Sequence, residues 1–114
     1  RLLSDRAQEK RKQGAGEVMR LIEVLRSRGQ VSEVRELLQV VGQEYAGAQQ
    51  ANLRKGGVSA LASAALALRE DIAGYLDVLV PPVLARFSDS DARVRYYAVE
   101  AAVHVVSTAE LALL

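Results

Sequence analysis

The sequence of 114 residues contains no cysteine and no tryptophan, and it has one histidine and one phenylalanine. The absence of cysteine excludes disulfide bonds and thiolate ligands. A single histidine, His104, cannot form a histidine cluster that binds a metal ion or passes protons between two imidazoles. We therefore expect no catalytic residues, no metal site and no cofactor, and we predict that the chain is not an enzyme.

Strong charge of one sign and long apolar segments are also missing. The formal net charge is +1, which gives no indication of a nucleic-acid-binding or membrane-surface protein. The longest segment without a charged residue is residues 56–68. A transmembrane helix needs about 20 apolar residues, so we interpret this shorter segment as a buried helix.

A seven-residue pattern ending in arginine occurs three times, at residues 5–11, 48–54 and 89–95. Its final residues, Arg11, Arg54 and Arg95, are 43 and 41 residues apart. This period is typical of HEAT and armadillo repeats, in which pairs or triplets of helices stack. We predict an all-α superhelix, or solenoid, of about three repeats, which would present long faces to binding partners.

Helical spacing of apolar residues continues along the chain, and no strand pattern is visible. We predict a truncated first repeat at about residues 1–28, a second at 31–68, a third at 71–107 and the start of a fourth at 108–114. Gly29 is expected to end the first long helix. Asp71 is expected to cap a later helix, and Pro81-Pro82 to kink it.

The third copy of the pattern, Asp-x-Asp-x-x-Val-Arg, is the HEAT signature for the turn between two helices. Asp91 can accept hydrogen bonds from backbone N–H groups at the start of the second helix, and Arg95 is expected to reach an aspartate of a neighbouring repeat. The predicted ladder of charged residues comprises Asp5, Arg11, Arg54, Asp89, Asp91 and Arg95. Ala48 and Gln50 replace both aspartates in the middle copy, so the ladder should be broken or rebuilt there. The alternative is that residues 89–95 form an ordinary capped helix start.

The segment Arg54-Lys55-Gly56-Gly57 allows two interpretations. Glycine N–H groups near a helix start can bind a phosphate group. The glycines also stand where the repeat needs two helices to approach closely, and we favour this packing role. Asp89 and Asp91 are likewise better explained as capping residues than as paired catalytic carboxylates.

Four blocks of sequence occur in the order and spacing of a known family: residues 8–12, 43–46, 54–57 and 89–101. The chain resembles the N-terminal HEAT repeats of the vacuole-morphology scaffold subunits of PIKfyve-type lipid-kinase complexes. Arg95-Tyr96-Tyr97-Ala98, with Arg-Lys-Gly-Gly upstream, is the most specific part of the resemblance.

The resemblance implies a non-catalytic scaffold that binds a phosphatidylinositol 3-phosphate 5-kinase. Such complexes control phosphatidylinositol 3,5-bisphosphate, and the implied location is cytoplasmic and peripheral on vacuolar and endolysosomal membranes. In the family, a Sac-type phosphatase and self-association depend on the C-terminal region, so we expect both to involve parts outside this chain. The alternative is a generic HEAT adaptor, such as a transport receptor or a phosphatase scaffold.

Helical spacing also predicts a partner-binding row. In the last helix, Val94, Ala98, Ala101 and Val105 should face the core, so that Tyr96 and Val103 face outward. The repeat period assigns equivalent outward positions to the two earlier repeats. Because the second helices of HEAT pairs line the concave side, these positions should lie next to Tyr96 and Val103. The predicted partner-binding residues are Lys12, Met19, Lys55, Leu66, Tyr96 and Val103.

Overall fold

The computed structural model describes residues 8–114, with side chains from Gln13 onward, and within that range every regular element is helical. Five α-helices follow one another: α1 Gln8–Ser27, α2 Val31–Val40, α3 Ala51–Leu68, α4 Leu76–Ala85 and α5 Ala92–Leu113. One turn of π-helix, Val41–Tyr45, extends α2, and a 3₁₀ helix, Arg69–Tyr75, precedes α4.

Two of the helix boundaries follow directly from residues that the sequence singles out. Gly29 adopts a φ of +68°, and the N–H groups of Gly29 and Gln30 donate to the carbonyls of Arg26 and Leu25 at the end of α1. This is the hydrogen-bond pattern of a glycine C-cap, and it confirms the predicted end of the first helix. At the start of α5, one carboxylate oxygen of Asp91 accepts from the N–H groups of Arg93 and Val94, at 2.8 and 3.1 Å.

The helices form two layers with the apolar core between them. Helices α1, α3 and α5 lie side by side, with α3 in the middle, and α2 and α4 form the second layer. The largest fully buried side chains come from both layers and from the 3₁₀ helix; they include Ile22, Leu38, Leu61, Leu68, Ile72 and Leu79. In α5, all four residues predicted to face the core are buried.

Helix α3 lies unusually close to the chain that precedes it. A Cβ atom added at Gly57 would lie 2.7 Å from the carbonyl carbon of Tyr45 and would also meet the backbone of Ala46. No side chain fits there, so glycine is required for packing. Gly56 and Gly57 are both buried, which matches the close-approach role favoured for these glycines.

The all-α prediction is confirmed for the described residues, whereas the repeat boundaries and the continuation as a superhelix stay predictions. One expectation about the start of α4 is wrong. Asp71 caps no helix, because it lies inside the 3₁₀ helix, two residues after Arg69, which breaks the helical path with a φ of +53°, and its carboxylate pairs with Arg26. Helix α4 continues through Pro81 and Pro82, and a kink at these residues stays a prediction.

Candidate functional site

A buried ion pair joins the start of α3 to the turn that leads into α5. The guanidinium of Arg54 donates from Nε and Nη2 to the two carboxylate oxygens of Asp89, at 2.8 and 3.0 Å. Its Nη1 donates to the carbonyls of Ala48 and Gln49. Arg54 and Asp89 are only 9% and 6% exposed. A bidentate pair of this kind fixes both the distance and the angle between the two segments.

Asp89 accepts further hydrogen bonds, from Nη1 of Arg86 and from the N–H of Asp91, both at 2.9 Å. Burial acts to raise the pKa of this carboxyl group. The hydrogen bonds from Arg54 and Asp91 and the charges of Arg54 and Arg86 act in the opposite direction, and the pKa of Asp89 lies below its ordinary value. Asp89 is therefore ionised at neutral pH and is held by three donor residues.

The structure divides the predicted ladder residues among different roles. Nη1 of Arg95 donates to the backbone carbonyl of Asp89 in its own turn, and its bond to an aspartate of a neighbouring repeat stays a prediction. Within the described residues, the pair between successive copies is formed by Arg54 and Asp89. Asp91 caps α5 and also lies 3.9 Å from Lys55. Asp5 and the side chain of Arg11 lie outside the described residues.

The equivalence between Arg54 and Arg95 extends to individual atoms. Arg54 Nη1 bonds to the carbonyl of Ala48, and Arg95 Nη1 bonds to the carbonyl of Asp89, each six residues earlier in the chain. Ala48 thus occupies in the second copy the place of Asp89 in the third. Since alanine has no carboxylate, the buried pair has no counterpart at that position.

Two further arginines join successive helical units, and the sequence interpretation missed both. Arg26 at the end of α1 donates to Asp71 at 2.7 Å and to Glu70 at 2.9 Å. Arg35 of α2 donates to Asp77 at 2.8 Å and lies over the ring of Tyr75, 5.5 Å from its centroid. Arg26 and Asp71 are 45 residues apart and Arg35 and Asp77 are 42 apart, close to the repeat period. A search for opposite charges one period apart would have found them.

An open groove of roughly 650 Å³ lies on the outer face of the layer formed by α1, α3 and α5. Its floor consists of small side chains of α3, Ser59, Ala62 and Ser63, and Ala15 contributes from α1. The wall consists of α5 residues from Ala92 to His104. Small floor residues leave room for the backbone of a partner to approach closely.

The α5 wall carries aromatic and charged groups. The rings of Tyr96 and Tyr97 have centroids 5.9 Å apart in a tilted arrangement, and Tyr96 is 61% exposed. The negative charge of the nearby Glu100 carboxylate raises the pKa of Tyr96 above its ordinary value. Arg93 lies at one end of the wall and His104 at the other. Aromatic residues combined with charges are typical of protein-binding surfaces.

The predicted partner-binding row is only partly assembled. Tyr96 lines the groove, and Leu66 and Val103 are exposed outside its lining. Met19 is half-buried against the core, and the side chain of Lys55 is only 14% exposed, 3.9 Å from Asp91. The outward position predicted for Lys55 is therefore wrong, because its ammonium group turns toward the capping aspartate. The side chain of Lys12 lies outside the described residues.

Neither a metal site nor a membrane-crossing helix is found in the part of the chain that the structure describes. The side chains described, from Gln13 onward, include no cluster of acidic and histidine groups arranged to hold a metal ion. None of the described helices combines the length and apolar character needed to cross a bilayer.

The family described as "Vacuolar 14 Fab1-binding region" matches residues 52–114, which run from the start of α3 through the whole of α5. The chain belongs to this family. The matched segment contains Arg54, Asp89 and every groove residue named above except Ala15.

Curated relatives of this Vacuolar 14 family carry related names. "Protein VAC14 homolog" of Arabidopsis thaliana is 44% identical over 101 residues, covering 89% of this chain and 14% of the relative. "Vacuole morphology and inheritance protein 14" of Saccharomyces cerevisiae is 34% identical over 110 residues, covering 95% of this chain and 12% of the relative. "Protein VAC14 homolog" of Schizosaccharomyces pombe is 30% identical over 110 residues, covering 95% of this chain and 14% of the relative. The chain thus spans about one seventh of the length of these relatives, and no solved structure matches it.

Proposed function

We propose that this chain is a non-catalytic scaffold module that binds a lipid kinase of the Fab1 type. The observation that carries the proposal is the match of residues 52–114 to a family whose description names Fab1 binding. That segment is also where the structure places the buried Arg54–Asp89 pair and most of the open groove. A module that is fixed internally and has an exposed groove is suited to holding a partner in one orientation.

The finer parts of the proposal rest on the resemblance of the four sequence blocks. The kinase partner is a phosphatidylinositol 3-phosphate 5-kinase, and the complex controls phosphatidylinositol 3,5-bisphosphate. The protein is cytoplasmic and peripheral on vacuolar and endolysosomal membranes. A Sac-type phosphatase and further copies of the protein bind through regions outside these 114 residues. The Saccharomyces cerevisiae relative, which is named for vacuole morphology, supports this location.

Co-purification from the organism of origin tests the kinase proposal. The natural protein, expressed at full length with an affinity tag, should recover the Fab1-type kinase in a fixed ratio, and purified components should bind in solution. The tagged protein alone should convert no phosphatidylinositol 3-phosphate. If purified kinase and scaffold fail to bind at micromolar concentrations, the proposed function is wrong.

Microscopy and fractionation test the location. A fluorescent fusion of the natural protein should mark vacuolar or endolysosomal membranes and should be released from them by high salt or carbonate. Retention in the membrane pellet after carbonate extraction would contradict peripheral association.

A further inference from the structure

The groove between α3 and α5 is the exposed feature that the fold leaves unexplained. The exposed wall residues Arg93, Tyr96 and Glu100 take no part in the core, since the buried stripe of α5 is formed by other residues. Ala62 of the floor and Tyr97 of the wall also pack against the core. Tyr96, which dominates the wall, is 61% exposed although tyrosine is a large and partly apolar side chain. Exposed aromatic residues beside a groove mark sites where a partner can bury them.

The length of the groove suits a short helix. Its wall extends along α5 from Arg93 to His104, about 16 Å at the helical rise of about 1.5 Å per residue. This length corresponds to about three turns of a partner helix. The floor residues Ser59, Ala62 and Ser63 follow the helical spacing of one face of α3, so they form a row of small side chains. Amphipathic helices commonly bind in grooves of this kind.

The charges on the wall define the chemistry of the partner. Arg93 and Glu100 are both exposed groove residues. They are separated by seven residues, which is about 10 Å along the helix. A complementary helix carries an acidic residue that faces Arg93 and a basic residue two turns away that faces Glu100. Between them it presents apolar or small residues to Tyr96 and to the floor. Such complementarity sets orientation and register as well as affinity.

We propose that this groove, defined by Ser59, Ala62, Ser63, Arg93, Tyr96 and Glu100, is the docking site for an amphipathic helix of the Fab1-type kinase. The helix carries an acidic and a basic residue at positions i and i+7 on the face that enters the groove. The inference rests on the proposed function. It is supported by the position of the groove, since all six residues lie in the segment that matches the Fab1-binding family.

Variants of the natural full-length protein test the wall. Tyr96→Ala combined with Glu100→Lys should weaken binding of the purified kinase at least about tenfold, as expected for an aromatic residue at the centre of an interface. The matched control combines Phe87→Ala, an exposed aromatic residue outside the groove, with Glu36→Lys on α2. The control should bind the kinase as tightly as the unchanged protein does. Both variants should unfold at the same denaturant midpoint as the unchanged protein. Equal binding by the unchanged protein and the wall variant would overturn the groove proposal and leave the kinase proposal intact.

Photo-crosslinking identifies the occupant. A benzophenone amino acid placed at Ser63 or at Tyr96 should form a crosslink to one kinase segment, and mass spectrometry should show that this segment has the i, i+7 charge pattern. The same amino acid at Glu36 should form none. Crosslinks from the groove to a second copy of the scaffold, or to a kinase segment without that pattern, would contradict the proposal.

Reversal of charge provides a test that a change of fold cannot imitate. Arg93→Glu with Glu100→Lys should weaken binding at least about tenfold, and exchange of the acidic and basic residues in the crosslinked kinase helix should restore most of it. The assigned register would be refuted if the charge-reversed scaffold bound the charge-exchanged kinase no better than it binds the unchanged kinase. Failure of the unchanged proteins to bind at all would instead refute the proposed function.

Discussion

Removal of the Arg54 side chain is expected to be the most damaging single charge change in the described part of the chain. Arg54→Ala deletes two hydrogen bonds to Asp89 and two to the carbonyls of Ala48 and Gln49. It leaves the carboxylate of Asp89, whose side chain is only 2% exposed, without its bidentate partner. The free energy of unfolding should fall because a buried charge then remains incompletely compensated.

The expected magnitude follows from the partners that remain. Removal of one member of a buried ion pair typically costs about 3–5 kcal/mol. Asp89 keeps the hydrogen bonds from Arg86 and from the N–H of Asp91, so its charge stays partly compensated. The two carbonyls released by Arg54 are in part-buried surroundings that water can reach after the truncation. We therefore expect a loss of about 3 kcal/mol, at the lower end of that range.

Urea unfolding followed by circular dichroism measures the effect, and two neighbouring arginines provide controls. Arg95→Ala removes one hydrogen bond, to the carbonyl of Asp89, from an exposed side chain and should cost less than about 1.5 kcal/mol. Arg93→Ala alters an exposed side chain and should cost less than about 0.5 kcal/mol. All three variants remove one guanidinium group, so the comparison isolates the effect of its surroundings. The loss should be largest for Arg54→Ala, smaller for Arg95→Ala and smallest for Arg93→Ala.

A double-mutant cycle separates the ion pair from the rest of the Arg54 side chain. Arg54→Ala and Asp89→Ala together should destabilise the protein by less than the sum of the single changes, with a coupling of at least about 1 kcal/mol. Additive losses would show that the two side chains act independently. A loss below about 1 kcal/mol for Arg54→Ala, or equal losses for Arg54→Ala and Arg95→Ala, would refute the importance assigned to the buried pair.

The remaining predictions concern the pH dependence, a helix cap and a close contact. Because the pKa of Asp89 is lowered by folding, its stabilising contribution is complete above the ordinary value of 3.8 and is lost as the pH falls through the lower value of the folded state. The urea midpoint of Asp89→Asn should therefore vary less between pH 5 and pH 2.5 than the midpoint of the unchanged protein. Asp91→Ala removes the carboxylate oxygen that accepts from the N–H groups of Arg93 and Val94, and it should cost about 1 kcal/mol in urea unfolding. No loss would show that water replaces the cap. Gly57→Ala should cost about 3 kcal/mol because the new methyl group meets the backbone of the preceding turn, and Gly74→Ala, with open space around it, should be close to neutral in the same melts. Equal stability of the two alanine variants would contradict the close approach of α3.

The parts of the fold that the sequence predicts are those that depend on local spacing. The period of the arginines and the helical apolar pattern indicate paired helices, and the buried stripe of α5 follows from Val94, Ala98, Ala101 and Val105. Gly29 marks the end of α1 because only a residue that adopts positive φ easily suits that position. Each of these inferences uses residues within one helix or one turn, where geometry follows directly from sequence.

The parts that the sequence does not predict depend on which neighbour a long side chain reaches. Arg54 pairs with Asp89 of the following copy although its own copy has lost both aspartates, and the sequence interpretation did not assign this pair. Lys55 was expected to face outward, but the cap at Asp91 lies beside it and attracts its ammonium group. The groove itself depends on the distance between α3 and α5, which no local pattern specifies.

The two junctions of α3 differ in kind, and this difference connects stability with the candidate binding site. Toward α1, the ion pairs join Arg26 to Glu70 and Asp71 of the 3₁₀ helix that follows α3. Both acidic side chains are more than half exposed, so these pairs contribute little. Toward α5, the buried Arg54–Asp89 pair holds the starts of both helices together, only a few residues before the groove begins at Ser59 and Arg93. Because floor and wall belong to different helices, the width of the groove depends on the angle that this pair fixes. The buried Arg54–Asp89 pair thus keeps α3 and α5 in the arrangement that a docked helix requires.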